Sequence, residues 1–294
     1  MSSTGTAGLE GFVAVRPREL GVRPEPTWDT AIVVGREVVA ERYYRLVLRS
    51  PSITRRATAG QFVMITLPQN GSEQILLPRP MAIHRRHQTD GTFEVIFNIV
   101  GRGTEALATV QVEDQLLVTG PLGRGFEIPP GASDVLLIGR GIGVCAVMGV
   151  AEDAALAGVT VTAVLSASRR SALLGIEDCR ELGARAITVS DEEGTSDISE
   201  LKAVLQAEYR GKAPDAIMVC GSGRLTRMTA ELGAEWAVSA QVSLEAHMAC
   251  GLGYCHGCAA PIGTRPTEEG PLVCLDGPVF DAVLPGGDVT VSEQ

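Results

Sequence analysis

The run Asp134-Val135-Leu136-Leu137-Ile138-Gly139-Arg140-Gly141-Ile142-Gly143 decides the fold. After Asp134, its first half is apolar without a break, which is typical of a strand buried on both faces of a parallel sheet. Its second half places glycines before a helix-like segment, residues 144–157. Glycines at a strand-to-helix turn let a phosphate approach the helix N-terminus, where free amides and the helix dipole favour anions. Taken alone, they fit a plain tight turn equally well.

Strands and helices alternate on the C-terminal side of this turn. The pattern predicts strands at 160–165, 186–189 and 216–220, and helices at 176–182 and 198–209. This βα repetition predicts a doubly wound parallel sheet with helices on both faces, over residues 131–240. Cys220 ends a predicted strand at the carboxyl edge of the sheet, where such folds bind ligands, and Gly221 follows it.

Residues 28–130 have a different pattern, with short β-rich runs separated by turn residues. Several runs alternate apolar with polar residues, which indicates half-buried strands and a small antiparallel barrel. The predicted barrel strands are 31–37, 43–48, 61–67, 93–99 and 115–119.

Two motifs in the barrel region carry candidate binding groups. Leu77-Pro78-Arg79-Pro80-Met81-Ala82-Ile83-His84 places a cation in an apolar context, and Gly101-Arg102-Gly103-Thr104 begins a predicted helix. Arg79 can offer a bidentate fork, and Gly103 and Thr104 lie at a helix start, so both motifs suit the pyrophosphate of a flavin dinucleotide. The alternatives are a surface arginine beside a proline turn and an ordinary helix cap at Thr104.

Four cysteines crowd the last fifth of the chain with the spacing C-x4-C-x2-C-x15-C: Cys250, Cys255, Cys258 and Cys274. This stagger follows the plant-ferredoxin-type order and predicts a [2Fe–2S] centre, in which each of two irons takes two thiolates. The alternatives are zinc, although zinc sites usually pair two C-x2-C knuckles, and thiols without a metal. A disulfide framework is disfavoured because the seven cysteines are an odd number and the N-terminus lacks a secretory pattern. His256 is interpreted as a solvent-side residue, or as one that supports the ligands from outside, rather than as a ligand.

Composition limits the classes of partner. The chain has 294 residues, 45% of them hydrophobic, and a net charge of −10, which disfavours nucleic acid. The most apolar stretch, 135–151, is too short to span a bilayer, and we therefore expect no membrane partner and a cytoplasmic protein. Residues 1–27 are rich in Gly, Pro, Ser, Thr and Arg and are expected to form an N-terminal arm, which is either a tail or is laid on a partner.

The order of these motifs resembles the ferredoxin-reductase-like electron-transfer subunits of class 1B dihydroorotate dehydrogenases, from about Thr30 to the C-terminus. The most specific parts are Met248-Ala249-Cys250-Gly251-Leu252-Gly253-Tyr254-Cys255-His256-Gly257-Cys258 and Val273-Cys274-Leu275-Asp276-Gly277-Pro278-Val279-Phe280. The resemblance implies a flavin-binding barrel, a nucleotide-binding α/β domain and a small C-terminal [2Fe–2S] domain at 241–294. It also implies that electrons pass between NAD(H), FAD, the cluster and a separate catalytic flavin dehydrogenase, in a heterotetramer or larger assembly.

The resemblance also implies site residues. The four cysteines would bind the cluster, and Cys220 would lie near the nicotinamide. The positions matching the family's FAD site are Arg79, Pro80, Met81, Ala82, Ile96, Phe97, Asn98, Gly103 and Thr104. The positions matching its nicotinamide-nucleotide side are Gly139, Gly141, Gly143, Cys220 and Gly221.

The chain departs from the family at two of these places. Ala82 replaces a serine, which removes one hydroxyl from the flavin's surroundings, and Arg140 stands in a turn that is usually richer in glycine. Arg140 would either reach a phosphate or obstruct NAD. Two alternatives therefore remain: the same relay serving a different organic-substrate dehydrogenase, and a zinc-stabilised interaction subunit that is not catalytic. Outside the cluster, Cys145 and Cys179 are interpreted as small buried hydrophobes and Glu245 as a loop-stabilising carboxylate.

Overall fold

The computed structural model describes residues 14–18, 25–67, 76–260 and 270–284, which build two seven-stranded sheets. The strands are β1 (Ala14–Arg16), β2 (Thr27–Ala40), β3 (Tyr43–Arg49), β4 (Phe62–Ile65), β5 (Arg79–Ala82), β6 (Arg86–His87), β7 (Thr92–Asn98), β8 (Gln115–Leu122), β9 (Asp134–Arg140), β10 (Thr160–Ala167), β11 (Arg185–Ser190), β12 (Ala216–Cys220), β13 (Ser239–Ser243) and β14 (Val279–Val283). The helices are α1 (Pro51–Arg56), α2 (Arg102–Ala108), α3 (Val144–Ala157), α4 (Ile176–Glu181), α5 (Ile198–Glu208) and α6 (Gly223–Trp236). Within the described ranges, no helix is long and apolar enough to cross a bilayer.

The first sheet is antiparallel, in the order β5-β4-β8-β2-β3-β7-β6. It curls into a barrel because the chain beyond β5 returns to β7: the His84 amide donates to the Glu94 carbonyl over 2.8 Å. Alternate side chains of its strands fill the interior, as the alternating sequence predicts. Fully buried members of this core include Leu46, Leu48, Ile65 and Phe93. The predicted antiparallel barrel is confirmed.

The second sheet has the order β1-β14-β13-β12-β9-β10-β11, in which β9 to β13 are parallel. The chain runs outward from β9 to β11 and then returns to start β12 on the other side of β9. The carboxyl ends of β9 and β12 therefore form the switch point at which doubly wound sheets bind ligands. Helices cover both faces, with α3 in one core and α5 and α6 in the other. The predicted doubly wound domain is confirmed.

Helix α3 lies between the second sheet and the barrel, which explains its largely apolar sequence. One side packs on the parallel strands, and at Gly149 the other side meets Ala59 of the barrel, whose Cα would lie 3.3 Å from an added Cβ. Glu152 is the buried charge of this helix, and it pairs with Arg86 of the barrel over 3.1 Å. The helix therefore joins the two halves of the molecule.

The second sheet includes strands from near both ends of the chain. Strand β13 spans the predicted boundary at residue 241, and β14 pairs antiparallel with it, so the cysteine-rich segment at the C-terminal end lies between two neighbouring strands. We call this segment the cysteine-rich insertion. Part of the predicted arm, Ala14–Arg16, pairs antiparallel with β14. Arg18 then reaches Glu127 over 3.1 Å and Asp281 over 3.0 Å. Residues 14–18 thus pack on their own chain, because β14 offers them an open sheet edge.

Candidate functional site

A cavity of about 980 Å³, the central cavity, lies where the barrel, the second sheet and the cysteine-rich insertion meet. All nine positions predicted for FAD line it: Arg79, Pro80, Met81, Ala82, Ile96, Phe97, Asn98, Gly103 and Thr104. Gly143 and Cys220 contribute from the second sheet. Strands β5 and β7 and the start of α2 therefore bring together residues that are far apart in the sequence.

The Arg79 side chain lies directly over Gly103 at the start of α2. A Cβ at position 103 would lie 2.1 Å from Arg79 Nε, so only glycine leaves room for the guanidinium there. Arg79 Nη1 also donates to the Leu77 carbonyl over 2.8 Å, which holds the side chain at the cavity rim. A guanidinium held in this way presents a planar set of donors to a phosphate.

The Thr104 hydroxyl has an internal role. It accepts hydrogen bonds from the amides of Val100 over 2.9 Å and Gly101 over 3.3 Å, and donates to the Gly101 carbonyl over 3.0 Å. It therefore caps the start of α2, the alternative considered from the sequence. Arg79 rather than this hydroxyl is the group open to a ligand.

A second cavity of about 380 Å³, the nucleotide cavity, lies at the carboxyl ends of the parallel strands. It is lined by Gly141 and Gly221, two of the glycines expected on the nicotinamide-nucleotide side, and by Ser168 and Arg140. Ile142 and Glu245 line both cavities. The two cavities therefore share a wall, and ligands in them would lie side by side.

The predicted glycines have different roles. Gly139 lies outside both cavities, beneath the start of α3, where an added Cβ would be 2.7 Å from the Cα of Val144. Gly143 lines the central cavity and touches β12, because an added Cβ would lie 2.4 Å from the Cys220 carbonyl oxygen. The turn thus serves close packing of strand and helix as well as ligand access.

The three cysteines outside the insertion are buried. Burial raises the pKa of Cys220 to about 12 and that of Cys179 to about 11, and it raises the pKa of Cys145 well above its usual value. All three are therefore neutral thiols at physiological pH. The predicted burial of Cys145 and Cys179 is confirmed, and Cys220 lines the central cavity as an uncharged side chain.

The sequence reading missed the segment that follows β13. Residues 243–249 line the central cavity, and they include Glu245, which was interpreted only as a loop-stabilising carboxylate. Partial burial raises the pKa of Glu245. The signal that could have indicated a role at the site is the position of Glu245. It comes just after a strand, at the carboxyl edge of the sheet, where ligands bind.

The four cysteines of the insertion form two thiol pairs. Cys250 is hydrogen-bonded to Cys255, and the second pair is Cys258 with Cys274, whose amide also donates to Cys258 Sγ over 3.5 Å. Across the described ranges, no three His, Cys, Asp or Glu side chains converge to hold one metal ion. Two thiolates for each of two irons is the donor set that a [2Fe–2S] cluster requires, so these residues fit that group.

Backbone amides surround the thiol pair formed by Cys250 and Cys255. Burial raises the pKa of Cys250, but hydrogen bonds from the amides of Leu252, Cys255 and Tyr254 outweigh it and bring the pKa to about 6. The Leu252 amide lies 3.4 Å from Cys250 Sγ. Gly251 makes this turn with φ +69°, and an added Cβ would lie 2.6 Å from Met64 Cγ in the barrel. The loop therefore favours the thiolate form of Cys250, and it packs against β4.

The side chain of His256, in the same loop, is exposed, as predicted.

Comparison with known proteins agrees with this site. Residues 245–284 match the iron–sulfur cluster binding domain of dihydroorotate dehydrogenase B. The electron transfer subunit of dihydroorotate dehydrogenase B (NAD(+)) from Bacillus caldolyticus is 32% identical over 253 residues, covering 85% of this chain and 95% of the relative. The chain belongs to this electron transfer subunit family. The family's Desulforamulus reducens member is 29% identical over 250 residues, with the same coverage of both chains.

Comparison with solved structures shows which fold this family member has. An NADH-dependent reduced ferredoxin–NADP oxidoreductase superposes with a TM-score of 0.69 and 26% identity, over 86% of this chain and 88% of the other. Phthalate dioxygenase reductase, at 15% identity and a TM-score of 0.54 over 71% of this chain and 65% of the other, shares the fold alone. As a member of the electron transfer subunit family, the chain is an oxidoreductase component with a ferredoxin-reductase-like fold.

Proposed function

We propose that this chain passes electrons between NAD(H), FAD and a [2Fe–2S] cluster and a separate flavin dehydrogenase that acts on dihydroorotate. The observation that carries the proposal is the continuity of three sites. The nucleotide cavity shares Ile142 and Glu245 with the central cavity, and Met248, Ala249 and Gly257 of the cysteine loop line that same central cavity. When bound, FAD accepts a hydride and releases electrons singly to a one-electron cluster.

The residues of the chain hold and orient these groups. Arg79 would hold the FAD pyrophosphate over Gly103, while Met81, Ala82 and Ile96 supply apolar contact around the isoalloxazine. Cys250 with Cys255 would hold one iron, and Cys258 with Cys274 the other. The nicotinamide would enter beside Ile142 and Glu245. We propose that the chain is organised into three units. They are a barrel at 28–130, a nucleotide-binding unit that includes β13 and β14, and a cluster-binding insertion between those two strands.

The test uses the full chain purified with its partner. We expect a visible spectrum of flavin and [2Fe–2S], about two irons per chain, NADH-dependent dye reduction, and a copurifying dehydrogenase, in an assembly of two of each subunit or larger. Cys258→Ser should lose the cluster spectrum, whereas Cys179→Ala, which removes a buried thiol outside the insertion, should keep it. Zinc without sulfide, together with no dye reduction, would refute the proposal.

A second candidate is the same relay serving a different organic-substrate dehydrogenase. Ala82 and Arg140, which depart from the family at the two cavities, favour it. Identification of the copurifying dehydrogenase by mass spectrometry, followed by assay of the complex with dihydroorotate, distinguishes the two candidates.

A further inference from the structure

Tyr43 is a barrel residue whose side chain reaches the nucleotide cavity. It begins β3 and pairs with Asn98 of β7, yet it lines the cavity at the carboxyl ends of the parallel strands. Among the described residues that line this cavity, Tyr43 alone comes from the barrel, 28–130. Its ring is partly buried and packs against the apolar core that contains α3. The barrel therefore contributes one polar side chain to a cavity that is otherwise built by the second sheet.

The β2–β3 turn, which precedes Tyr43, is tied to the second sheet. Arg169 Nη2 lies 2.6 Å from Glu41 Oε1, Ser171 Oγ donates to Glu41 Oε2 over 2.7 Å, and the Glu41 amide donates to the Ser171 carbonyl over 3.2 Å. Ser168, next to Arg169, lines the nucleotide cavity. These contacts fasten the turn beside the cavity and so fix where the Tyr43 ring enters it.

The Tyr43 hydroxyl lies over Gly141, at the glycine turn. A Cβ at position 141 would lie 3.4 Å from Tyr43 Oη. Within the described ranges, no group accepts a hydrogen bond from this hydroxyl. Burial raises the pKa of Tyr43 above its ordinary value, so the hydroxyl keeps its proton at physiological pH. It is therefore able to donate a hydrogen bond to a ligand in the cavity.

The position of the hydroxyl indicates which part of a nicotinamide dinucleotide it meets. This step rests on the proposed function, in which the nicotinamide lies against the flavin at the wall formed by Ile142 and Glu245. Arg140, on the other side of Gly141 in the chain, lines the same cavity. The pyrophosphate joins the two halves of the ligand, so it lies between these positions, at Gly141 and the start of α3, where free amides favour an anion.

Arg140 is the charged donor at this turn, and its guanidinium is already engaged. Nη1 lies 3.1 Å from Asp191 Oδ1, and Nη2 lies 2.6 Å from Asp191 Oδ2. Nη1 also donates to Ser166 Oγ over 2.9 Å. The fork of Arg140 is therefore directed at Asp191, and the side-chain donor that lies over Gly141 is the Tyr43 hydroxyl.

We propose that Tyr43 is a nucleotide-binding residue, whose hydroxyl donates a hydrogen bond to the pyrophosphate of the nicotinamide dinucleotide at Gly141. Because Tyr43 belongs to the barrel, which also supplies the proposed FAD site, this contact aligns the dinucleotide with the flavin across the boundary between the two sheets. Glu41 acts indirectly, by holding the β2–β3 turn.

Binding is measured directly, by calorimetry of ADP-ribose with the full chain loaded with FAD and the cluster. Tyr43→Phe keeps the ring and removes only the hydroxyl. It should weaken ADP-ribose binding about tenfold, the loss expected for a hydrogen bond to a charged acceptor. Tyr44→Phe is the matched control, because the Tyr44 ring stacks on Phe97 and lies outside the nucleotide cavity. This control should bind ADP-ribose as wild type does.

Reduction of bound FAD separates this contact from a structural role of the ring. NADH carries the pyrophosphate, whereas reduced nicotinamide riboside carries the same hydride donor without phosphate. Tyr43→Phe should raise the NADH concentration that gives half-maximal rate about tenfold and leave the limiting rate unchanged, because the contact is made equally before and during hydride transfer. Its rate with the reduced riboside should match that of wild type.

Three results would overturn the inference: wild-type ADP-ribose affinity in Tyr43→Phe, an equal loss of that affinity in Tyr44→Phe, or an equal loss of rate with NADH and with the reduced riboside in Tyr43→Phe. If wild type neither binds ADP-ribose nor accepts a hydride from NADH, the proposed function is contradicted. If wild type does both and Tyr43→Phe behaves like it, only this inference is contradicted.

Discussion

Arg86 and Glu152 form a buried ion pair between the barrel and helix α3, with Arg86 Nε 3.1 Å from Glu152 Oε2. The Arg86 amide also donates to Glu152 Oε2 over 3.1 Å, and the guanidinium donates to the carbonyls of Ala57 and Gly149, each over 3.1 Å. The pair fixes the barrel relative to the second sheet, and so fixes the central cavity between them.

Replacing Glu152 should therefore destabilise the protein strongly. Glu152→Gln leaves Arg86 buried with reduced charge compensation, and we expect a loss of about 3 kcal/mol in the free energy of unfolding, measured by urea titration. The exposed Arg180–Glu177 pair provides the control, because Glu177→Gln should cost less than about 1 kcal/mol. Equal losses in both variants would contradict this role for Glu152.

The pH dependence of stability should report a contact inside the barrel, between His87 on β6 and Glu94 on β7. His87 Nε2 donates a hydrogen bond to Glu94 Oε1, 2.7 Å away, and this raises the pKa of His87 in the folded protein. Stabilisation by His87 is therefore complete below its unfolded pKa of about 6.5 and is lost as pH rises through the higher folded value. We expect the free energy of unfolding of wild type, relative to His87→Gln, to fall over that window. If the free energies of unfolding of the two proteins change with pH in parallel, His87 does not stabilise the protein in this way.

Glu94 should act in the opposite direction at acid pH. Burial alone would raise its pKa, but His87 and Arg45 together lower it. Its contribution is present above the unfolded pKa of about 4.3 and is lost as pH falls through the lower folded value. Glu94→Gln should flatten the acid limb of the same titration, and it should also reduce the loss of stability at higher pH, because it removes the partner of His87.

Gly251 should be required for cluster loading. Gly251→Ala places a side chain at φ +69° and against Met64, at a cost of about 1–2 kcal/mol for the backbone conformation alone. We expect less iron and sulfide per purified chain. Gly257→Ala is the matched control in the same loop, because its Cβ would meet only Cys255 Sγ, at 3.7 Å. Similar iron contents in the two variants would refute the steric requirement.

Gly103 should be required for FAD binding through Arg79. Gly103→Ala displaces the guanidinium, and we expect FAD affinity to fall about tenfold or more, to the level of Arg79→Ala, in equilibrium titrations of deflavinated protein. Gly211→Ala serves as the control, because an added Cβ there has no heavy atom within 4 Å. Retention of wild-type affinity by Gly103→Ala would show that Arg79 does not act from this position.

Much of the fold could be predicted because its signals are local. The apolar run of β9 and helix α3 were predicted with their observed starting residues, 134 and 144, whereas the predicted glycine turn begins two residues early, because Gly139 and Arg140 belong to β9. The antiparallel barrel followed from alternation of apolar and polar residues. Helix α6 was missed, although Leu225, Met228 and Leu232 have helical spacing and are buried.

The remaining features depend on contacts between distant parts of the chain. Nothing local indicates that β14 pairs with β13, or that Ala14–Arg16 pairs with β14. Likewise, Arg85 and Arg86 in the run His84-Arg85-Arg86-His87 have the composition of a solvated surface, and only the folded chain places α3 and α4 against them. The wall that the two cavities share also depends on contacts between distant parts of the chain, because the end of β13 positions Glu245.

The return of the chain to β14 has a consequence for truncation. Deleting the protein from the cysteine-rich segment onward would remove β14, and with it the strand on which β1 pairs. Strand β13 would then be left as an uncovered edge with unsatisfied amide and carbonyl groups, which is a template for aggregation. A shortened chain that keeps the barrel and the parallel strands is therefore not a simpler flavoprotein, and the metal-binding segment cannot be shed without exposing the sheet that binds the nucleotide.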